Sequence, residues 1–327
     1  LPKTKHFLIG FRVVMGEMPD TIPFSKTESK RWARDIIQKR FNWSKIEAQK
    51  DKAIFKEPRT FTRIPLDSNG PLYFTHNHNP ALTALANGDL LAIWFSTVKE
   101  RGREMVVAGS RLRNDADTWE DADVFFHVPD RNLTGQALWW DGEEKIFHFS
   151  GVGTGDHWRD LSLIMRTSND NGATWSKPKI IDHEYGYRNQ PIDAVIETSE
   201  GTIILAADAV PYGEGGTALH ISNDSGKTWT DPGEGKSNPD FSEGSKGSWI
   251  AGIHASIVEL SDGRLMALGR GDNINGKMPK SISDDNGKTW KYSASEFSSI
   301  GGAQRATMIR LKEGPIMLGS FDDYIVL

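Results

Sequence analysis

The chain has 327 residues, with 39 basic and 44 acidic side chains and a formal net charge of −5. That balance carries no signal of a nucleic-acid partner, and no apolar run reaches the length of a membrane span. Cysteine is absent, which excludes disulfides, thiolate metal sites and cysteine nucleophiles. The length suffices for a sizeable core, and 11 Trp with 32 Gly suit a turn-rich β protein.

Residues 6–18, His-Phe-Leu-Ile-Gly-Phe-Arg-Val-Val-Met-Gly-Glu-Met, read as one strand and its exit. The run from Ile9 to Val14 resembles the last strand of formylglycine-generating-enzyme-like (sulfatase-modifying factor) domains, so residues 1–20 are expected to be the tail of an upstream domain. Residues 21–58 are rich in charge and open on Pro-bearing punctuation. Between Ser29 and Ala53, helix formers accompany Trp32, Ile36, Ile37 and Phe41. The 32, 36, 37 spacing predicts an amphipathic helix in this linker, broken near Asn42.

From residue 59 the pattern changes to short alternating strands. Unit one holds Ala81–Leu85, the Asn87-Gly88 turn, Leu90–Phe95 and Met105–Leu112. Unit two holds Ala137–Trp140, Lys145–Ser150 and Ser162–Arg166. Unit three holds Ile192–Glu197, Thr202–Ala207 and Ala218–Ile221. Unit four holds Ser256–Leu260, the Asp262-Gly263 turn, Arg264–Leu268 and Lys280–Ser283. A fifth begins at Arg305–Leu311. Asn-Gly and Asp-Gly between alternating strands are hairpin signals.

Units two, three and four each end in Ser-x-Asp-x-Gly-x-Thr-Trp. The copies are Ser168-Asp170-Gly172-Thr174-Trp175, Ser222-Asp224-Gly226-Thr228-Trp229 and Ser283-Asp285-Gly287-Thr289-Trp290. A degraded copy closes unit one at Asp117-Thr118-Trp119. The tryptophans are 54 and then 61 residues apart, a period that signals a solenoid, a propeller or an array. Asp bonds its own backbone two residues on and Gly supplies a positive φ, so the motif reads as a turn. Its aspartates are expected to lock that turn, and the adjacent Asp284-Asp285 needs no calcium to explain it.

This pattern is the Asp box, and with it residues 59–327 resemble the sialidase (neuraminidase) superfamily. The resemblance implies an all-β fold, a six-bladed β-propeller of four-stranded antiparallel blades after a short helical linker. About four and a half blades fit in this chain, which is expected to be part of a longer protein. The same resemblance implies a secreted or periplasmic location, a glycan substrate and no cofactor or metal.

Because strand direction alternates, the loops sort onto two faces. The hairpin turns and Asp boxes share one face. The loops between second and third strands, and the crossovers between blades, share the other, where sialidase-like proteins carry their active site. On it lie His78 and Asn79, then Arg103 and Glu104, then Asp156 and Asp160, then Tyr187 and Arg188. His254, Arg270, Gln304 and Arg305 complete the set. Asp208, Tyr212, Glu214 and Trp249 lie on it too, and Glu100 and Arg101 read as solvent charges. His127, His148 and His220 sit in or beside strands and read as structural.

Sialidases hold a substrate carboxylate with three arginines and use an acid/base Asp and a Tyr activated by a Glu. The planar guanidinium fork suits a carboxylate as no lysine does. Thr62-Arg63-Ile64-Pro65 resembles the family's first arginine motif, yet His78 occupies that arginine's place when the inner strands are aligned. The resemblance therefore implies an exo-acting glycoside hydrolase for a terminal, anionic sugar. Arg103, Arg188, Arg270 and Arg305 would bind the acidic group, with Asn79 and Gln304 beside them. Glu104, Asp156 or Asp160 would supply the acid, and Tyr187 or Tyr212 the nucleophile. His78 and His254 would orient substrate or move protons. A polysaccharide lyase, a His-dependent glycosidase and a non-catalytic carbohydrate-binding propeller remain open on the same scaffold.

Overall fold

Short runs of β-branched and aromatic residues, each closed by a Gly-bearing turn, form almost all the regular structure. The structure is a computed structural model that describes residues 30–45, 57, 60–62, 70–155, 161–208, 216–302, 304–312, 314–322 and 324–326. The expectations for residues 1–20 and for Arg63, Asp156, Asp160, Tyr212 and Glu214 lie outside these.

Blade one is an antiparallel sheet of β1 (His76–Ala84), β2 (Leu90–Thr97), β3 (Val106–Leu112) and β4 (Asp123–Phe126). Blade two repeats it with β5 (Gln136–Trp140), β6 (Ile146–Gly153), β7 (Leu161–Ser168) and β8 (Lys179–Gly186). Blade three has β9 (Gln190–Glu197), β10 (Ile203–Asp208) and β11 (Thr217–Ser222), where a bridge from Ile221 to Thr230 stands for the expected fourth strand. After β12 (Lys246–Gly247), blade four runs β13 (Ile253–Glu259), β14 (Leu265–Arg270), β15 (Lys277–Ser283) and β16 (Trp290–Ser298), with β12 on its outer edge. Next come β17 (Thr307–Arg310), β18 (Ile316–Asp322) and β19 (Tyr324–Val326). The first strands pack in succession, β1 on β5, β5 on β9, β9 on β13 and β13 on β17. Blades radiating from a ring of inner strands are the architecture of a β-propeller.

The three repeated turns have one geometry. In the third, Asp285 Oδ1 accepts from Ser283 Oγ (2.8 Å) and Thr289 N (2.8 Å), and Oδ2 accepts from Thr289 Oγ1 (2.6 Å). Ser283 Oγ accepts from Gly287 N at 2.9 Å, and Trp290 Nε1 donates to Gly287 O at 3.0 Å. Asp170 and Asp224 make the same bonds. Two consecutive residues take positive φ, Asn286 at 58° and Gly287 at 84°, which Asn and Gly tolerate. The Trp ring then packs between blades. Trp175 meets Phe125 of blade one edge-on at 5.1 Å, and Trp229 meets Phe149 of blade two at 5.4 Å. A ring that buries ~150–250 Å² at ~25 cal/mol per Å² contributes roughly 4–6 kcal/mol before entropy is charged against it.

The linker differs from the expected helix. Residues 30–45 hold only two 3₁₀ turns, Arg31–Ala33 and Trp43–Lys45. Backbone and side chains of blades one and two claim this segment instead. Phe41 N donates to Ala86 O (2.8 Å), Asn87 Nδ2 to Ile37 O (2.9 Å) and Gln38 Nε2 to Asp170 O (3.1 Å). Fully buried Arg111 donates to Trp32 O (2.7 Å), Asp89 Oδ2 (2.8 Å) and Asn171 O (2.6 Å), tying strap, hairpin and repeat turn together. Trp32 is buried while Ile37 is 60% exposed, so the apolar spacing describes an extended strap and not one helical face.

Candidate functional site

At the end of the propeller opposite the repeated turns, inner strands begin with irregular backbone. β1 is bulged between His78 and Ala81, and β13 between Ile253 and Ser256. Asn79 (φ 52°) and His254 (φ 50°) occupy the left-handed region there. Bulges re-aim side chains, and such conformations in non-glycine residues gather at working sites.

His254 is held on both ring nitrogens. Nδ1 accepts from Arg270 Nη2 at 2.8 Å and Nε at 3.2 Å. A guanidinium only donates, so the ring proton lies on Nε2, which meets Asp208 Oδ2 at 2.7 Å. Asp208 Oδ1 also accepts the His254 backbone N–H at 3.3 Å. Asp208 is 7% exposed, at the end of β10. The result is an Asp208–His254–Arg270 strut across blades three and four, with His254 as its centre and no free nitrogen to offer a substrate. Burial draws the Arg270 pKa below its ordinary value; Asp208 opposes this and neighbouring Arg305 adds to it. Arg305 makes no hydrogen bond or ion pair among the described residues.

His78 lies within electrostatic reach of this strut. Lost hydration pulls its pKa below the ordinary histidine value; Glu100 opposes that, while His76, His254 and Arg270 reinforce it. The ring stacks with His76 and Phe95 at centroid distances of 5.6 Å each and has no hydrogen-bond partner among the described residues. His78 is exposed near the start of β1, within electrostatic reach of Arg270. Glu100, read as a solvent charge, is half-buried and acts electrostatically on His78. Asp208, placed on this face by sequence, becomes the anchor of the strut.

The other expected residues stand elsewhere or in other roles. Glu104 accepts from Thr97 Oγ1 and Val98 N, both at 2.7 Å, and so closes the 98–104 loop. Burial raises its pKa, but bonds from its own backbone N–H, from Thr97 and Val98 and from Lys99 outweigh that and leave it lowered. Arg103 pairs with Asp130. Arg188 forks onto Asp231 (Nη2–Oδ1 2.5 Å) and lies over the Trp249 ring at 4.4 Å, so a buried carboxylate engages Nε and Nη2, while Nη1 is buried without a partner among the described residues. Tyr187 precedes it in a 3₁₀ turn, Tyr187–Asn189. Gln304 Oε1 caps Gly301 N at 2.9 Å. Asn79 Oδ1 accepts from Gln136 N at 2.5 Å. His148 and His220 are structural as read, each buried and hydrogen-bonded within the blades. Among the described residues no three His, Asp or Glu side chains gather as metal ligands.

The BNR repeat-like domain family matches residues 88–318, from the first hairpin turn into β18. The chain belongs to this family. Solved structures similar to this BNR repeat-like chain include the Hadza microbial sialidase Hz136, at 18% identity and a TM-score of 0.58. That match covers 76% of this chain and 53% of the sialidase. The NanB sialidase of Streptococcus pneumoniae is similar at 13% identity and TM-score 0.56, over 82% of this chain and 62% of its own. The α-L-arabinofuranosidase Arb93A of Fusarium graminearum is similar at 14% identity and TM-score 0.54, over 79% and 74%. The chain thus spans about half to two thirds of the sialidases. At these identities the likeness fixes the fold. No curated protein sequence matches the chain.

Proposed function

We propose that this BNR repeat-like chain belongs to a glycoside hydrolase that removes a terminal, anionic sugar. The observation that carries this reading is an exposed His78 at the start of β1, without a hydrogen-bond partner among the described residues and within electrostatic reach of Arg270, which itself neighbours Arg305. The glycoside hydrolases among its structural neighbours support the same class. In this reading Arg270, braced by His254 and Asp208, and Arg305 bind the acidic group of the sugar. His78 takes a proton from the attacking water, which its lowered pKa permits at neutral pH. Asp156, Asp160 and Tyr187 are the candidates to return a proton to the leaving oxygen.

A second reading is favoured by one observation: Asp208 is engaged by His254, while His78 and Arg305 make no hydrogen bond among the described residues. That set suits β-elimination from a uronate. The arginines would neutralise the carboxylate and acidify the adjacent C–H, His78 would take that proton, and the C–O electron pair would leave with the departing sugar oxygen. A carbon–carbon double bond remains and no water is consumed.

The test is incubation of the protein with sialosides, uronides and neutral glycosides, with products read by mass spectrometry and ultraviolet absorbance. Saturated product from an acidic glycan, falling ~10²-fold or more in His78→Ala, is expected. An unsaturated product selects the elimination. Undiminished turnover of every accepted glycan by His78→Ala refutes both readings, and binding without turnover makes the propeller a carbohydrate-binding module.

A further inference from the structure

β1 loses register with β2 at one place. His78 pairs with Phe95, and the next pair is Ala81 with Ile93, so Asn79 and Pro80 together oppose one residue. Asn is among the few residues that hold φ 52° without severe strain, and Pro is at home in a bulge because it has no ladder N–H to lose. His78 is the last paired residue before the bulge. What fixes it comes from blade two: the Gln136 N–H donates to Asn79 Oδ1 at 2.5 Å, across the blade interface.

Gln136 is fully buried and cannot move by itself. Its Nε2 donates to Leu133 O (2.5 Å) and Ser150 Oγ (2.9 Å), and its Oε1 meets His148 Nε2 at 2.8 Å. His148 Nδ1 accepts from Arg166 Nε at 3.1 Å. Arg166 donates and never accepts, so His148 carries its proton on Nε2 and the Gln136 amide has one possible orientation. Arg166 itself lies 4.2 Å from the Phe126 ring centroid and 4.9 Å from that of Phe125. A chain of buried donors therefore runs from Arg166 through His148 to Gln136 and ends at the residue whose backbone holds Asn79. The same lead-in segment clamps the other side of the site. Asn132 Nδ2 donates to Glu100 O (3.0 Å) and Gly102 O (2.9 Å), fixing the loop that brings Glu100 to His78.

We propose that Asn79 is a positioning residue and not a substrate ligand: with its oxygen held by Gln136, it locks the bulge that presents His78, and the Arg166–His148–Gln136 chain buttresses that lock. This rests on the reading of His78 as a working group of the site. Its consequence is that the middle strands of blade two hold a residue of blade one in place.

The test uses two variants and two readouts, amide hydrogen exchange at Gln136 and the ring titration of His78 by NMR. Asn79→Gly keeps the positive φ and deletes the acceptor. It is expected to speed Gln136 exchange ~10-fold, as loss of one ~1.4 kcal/mol hydrogen bond would, and to move His78 titration up toward the ordinary histidine value. Asn79→Asp keeps an acceptor and is expected to leave Gln136 protected. A Gln136 amide that stays protected in Asn79→Gly overturns the proposal. So does a fast-exchanging amide with unmoved His78 titration, or lost protection in Asn79→Asp. Neither readout requires turnover, so failure of the proposed reaction leaves this result intact and separately readable.

Discussion

Acid should unfold this protein through His148. The ring is wholly buried, accepts from Arg166 at Nδ1 and meets Gln136 Oε1 at Nε2. A second ring proton would point at the Arg166 N–H, donor against donor and cation against cation. Burial, and then Arg166, accordingly hold its pKa well below the ordinary value. In the unfolded chain the ring titrates near ~6.5. Below that pH the unfolded state binds a proton that the folded state refuses, so stability falls as pH falls. One such proton is worth ~1.4 kcal/mol per pH unit below the unfolded pKa, at most roughly 3 kcal/mol down to pH ~4.5. The assay is urea unfolding at pH steps across that window, comparing the wild type with His148→Gln. The variant is expected to start less stable, because Arg166 loses its acceptor, by about 1–3 kcal/mol. It should then lose less on acidification than the wild type, by up to roughly 3 kcal/mol. Carboxylates and other histidines are common to both proteins and cancel in the difference. Parallel acid losses in the two proteins would refute the reasoning, since His148 would then take its proton within the fold.

Two predictions concern the repeated turn of blade four. Asp285→Ala removes the acceptor of Ser283 Oγ, Thr289 N and Thr289 Oγ1, and should lower stability by about 2 kcal/mol in denaturant titration with an unchanged far-ultraviolet spectrum. An effect below ~0.5 kcal/mol would show that solvent replaces those bonds. Trp290→Ala empties a site that is 1% exposed and should cost about 3–5 kcal/mol, more than the same change at half-buried Trp175. Equal costs would mean that ring burial is not what the repeat contributes.

The repeated turn and the strands around it were legible because their physics is local. Every bond that Asp285 accepts from the repeat's other residues spans four positions or fewer, and a blade hairpin needs only alternation and an Asn-Gly or Asp-Gly pair. Sequence therefore placed the inner strands, and it named His78, His254, Arg270 and Arg305 as candidates for one face. The linker went the other way. Its helical spacing was real, but blades one and two offered Phe41, Ile37 and Gln38 better partners than their own helix would.

What no reading of the sequence reached is which charged residues remain open. Arg188 and Arg270 look alike in the chain. Folding sets a carboxylate 43 residues further on against Arg188, but gives Arg270 a neutral histidine that is itself braced by Asp208, 46 residues before it. Glu104 and Glu100 lie four residues apart in one loop. Backbone amides capture the first, and the second reaches His78. Pairings of this kind depend on bulges that shift strand register by one residue and on which blade lies next, and both are decided when the inner strands pack around a common axis. Local sequence fixed the repeating unit; tertiary packing chose the few polar groups it leaves unsatisfied at the mouth.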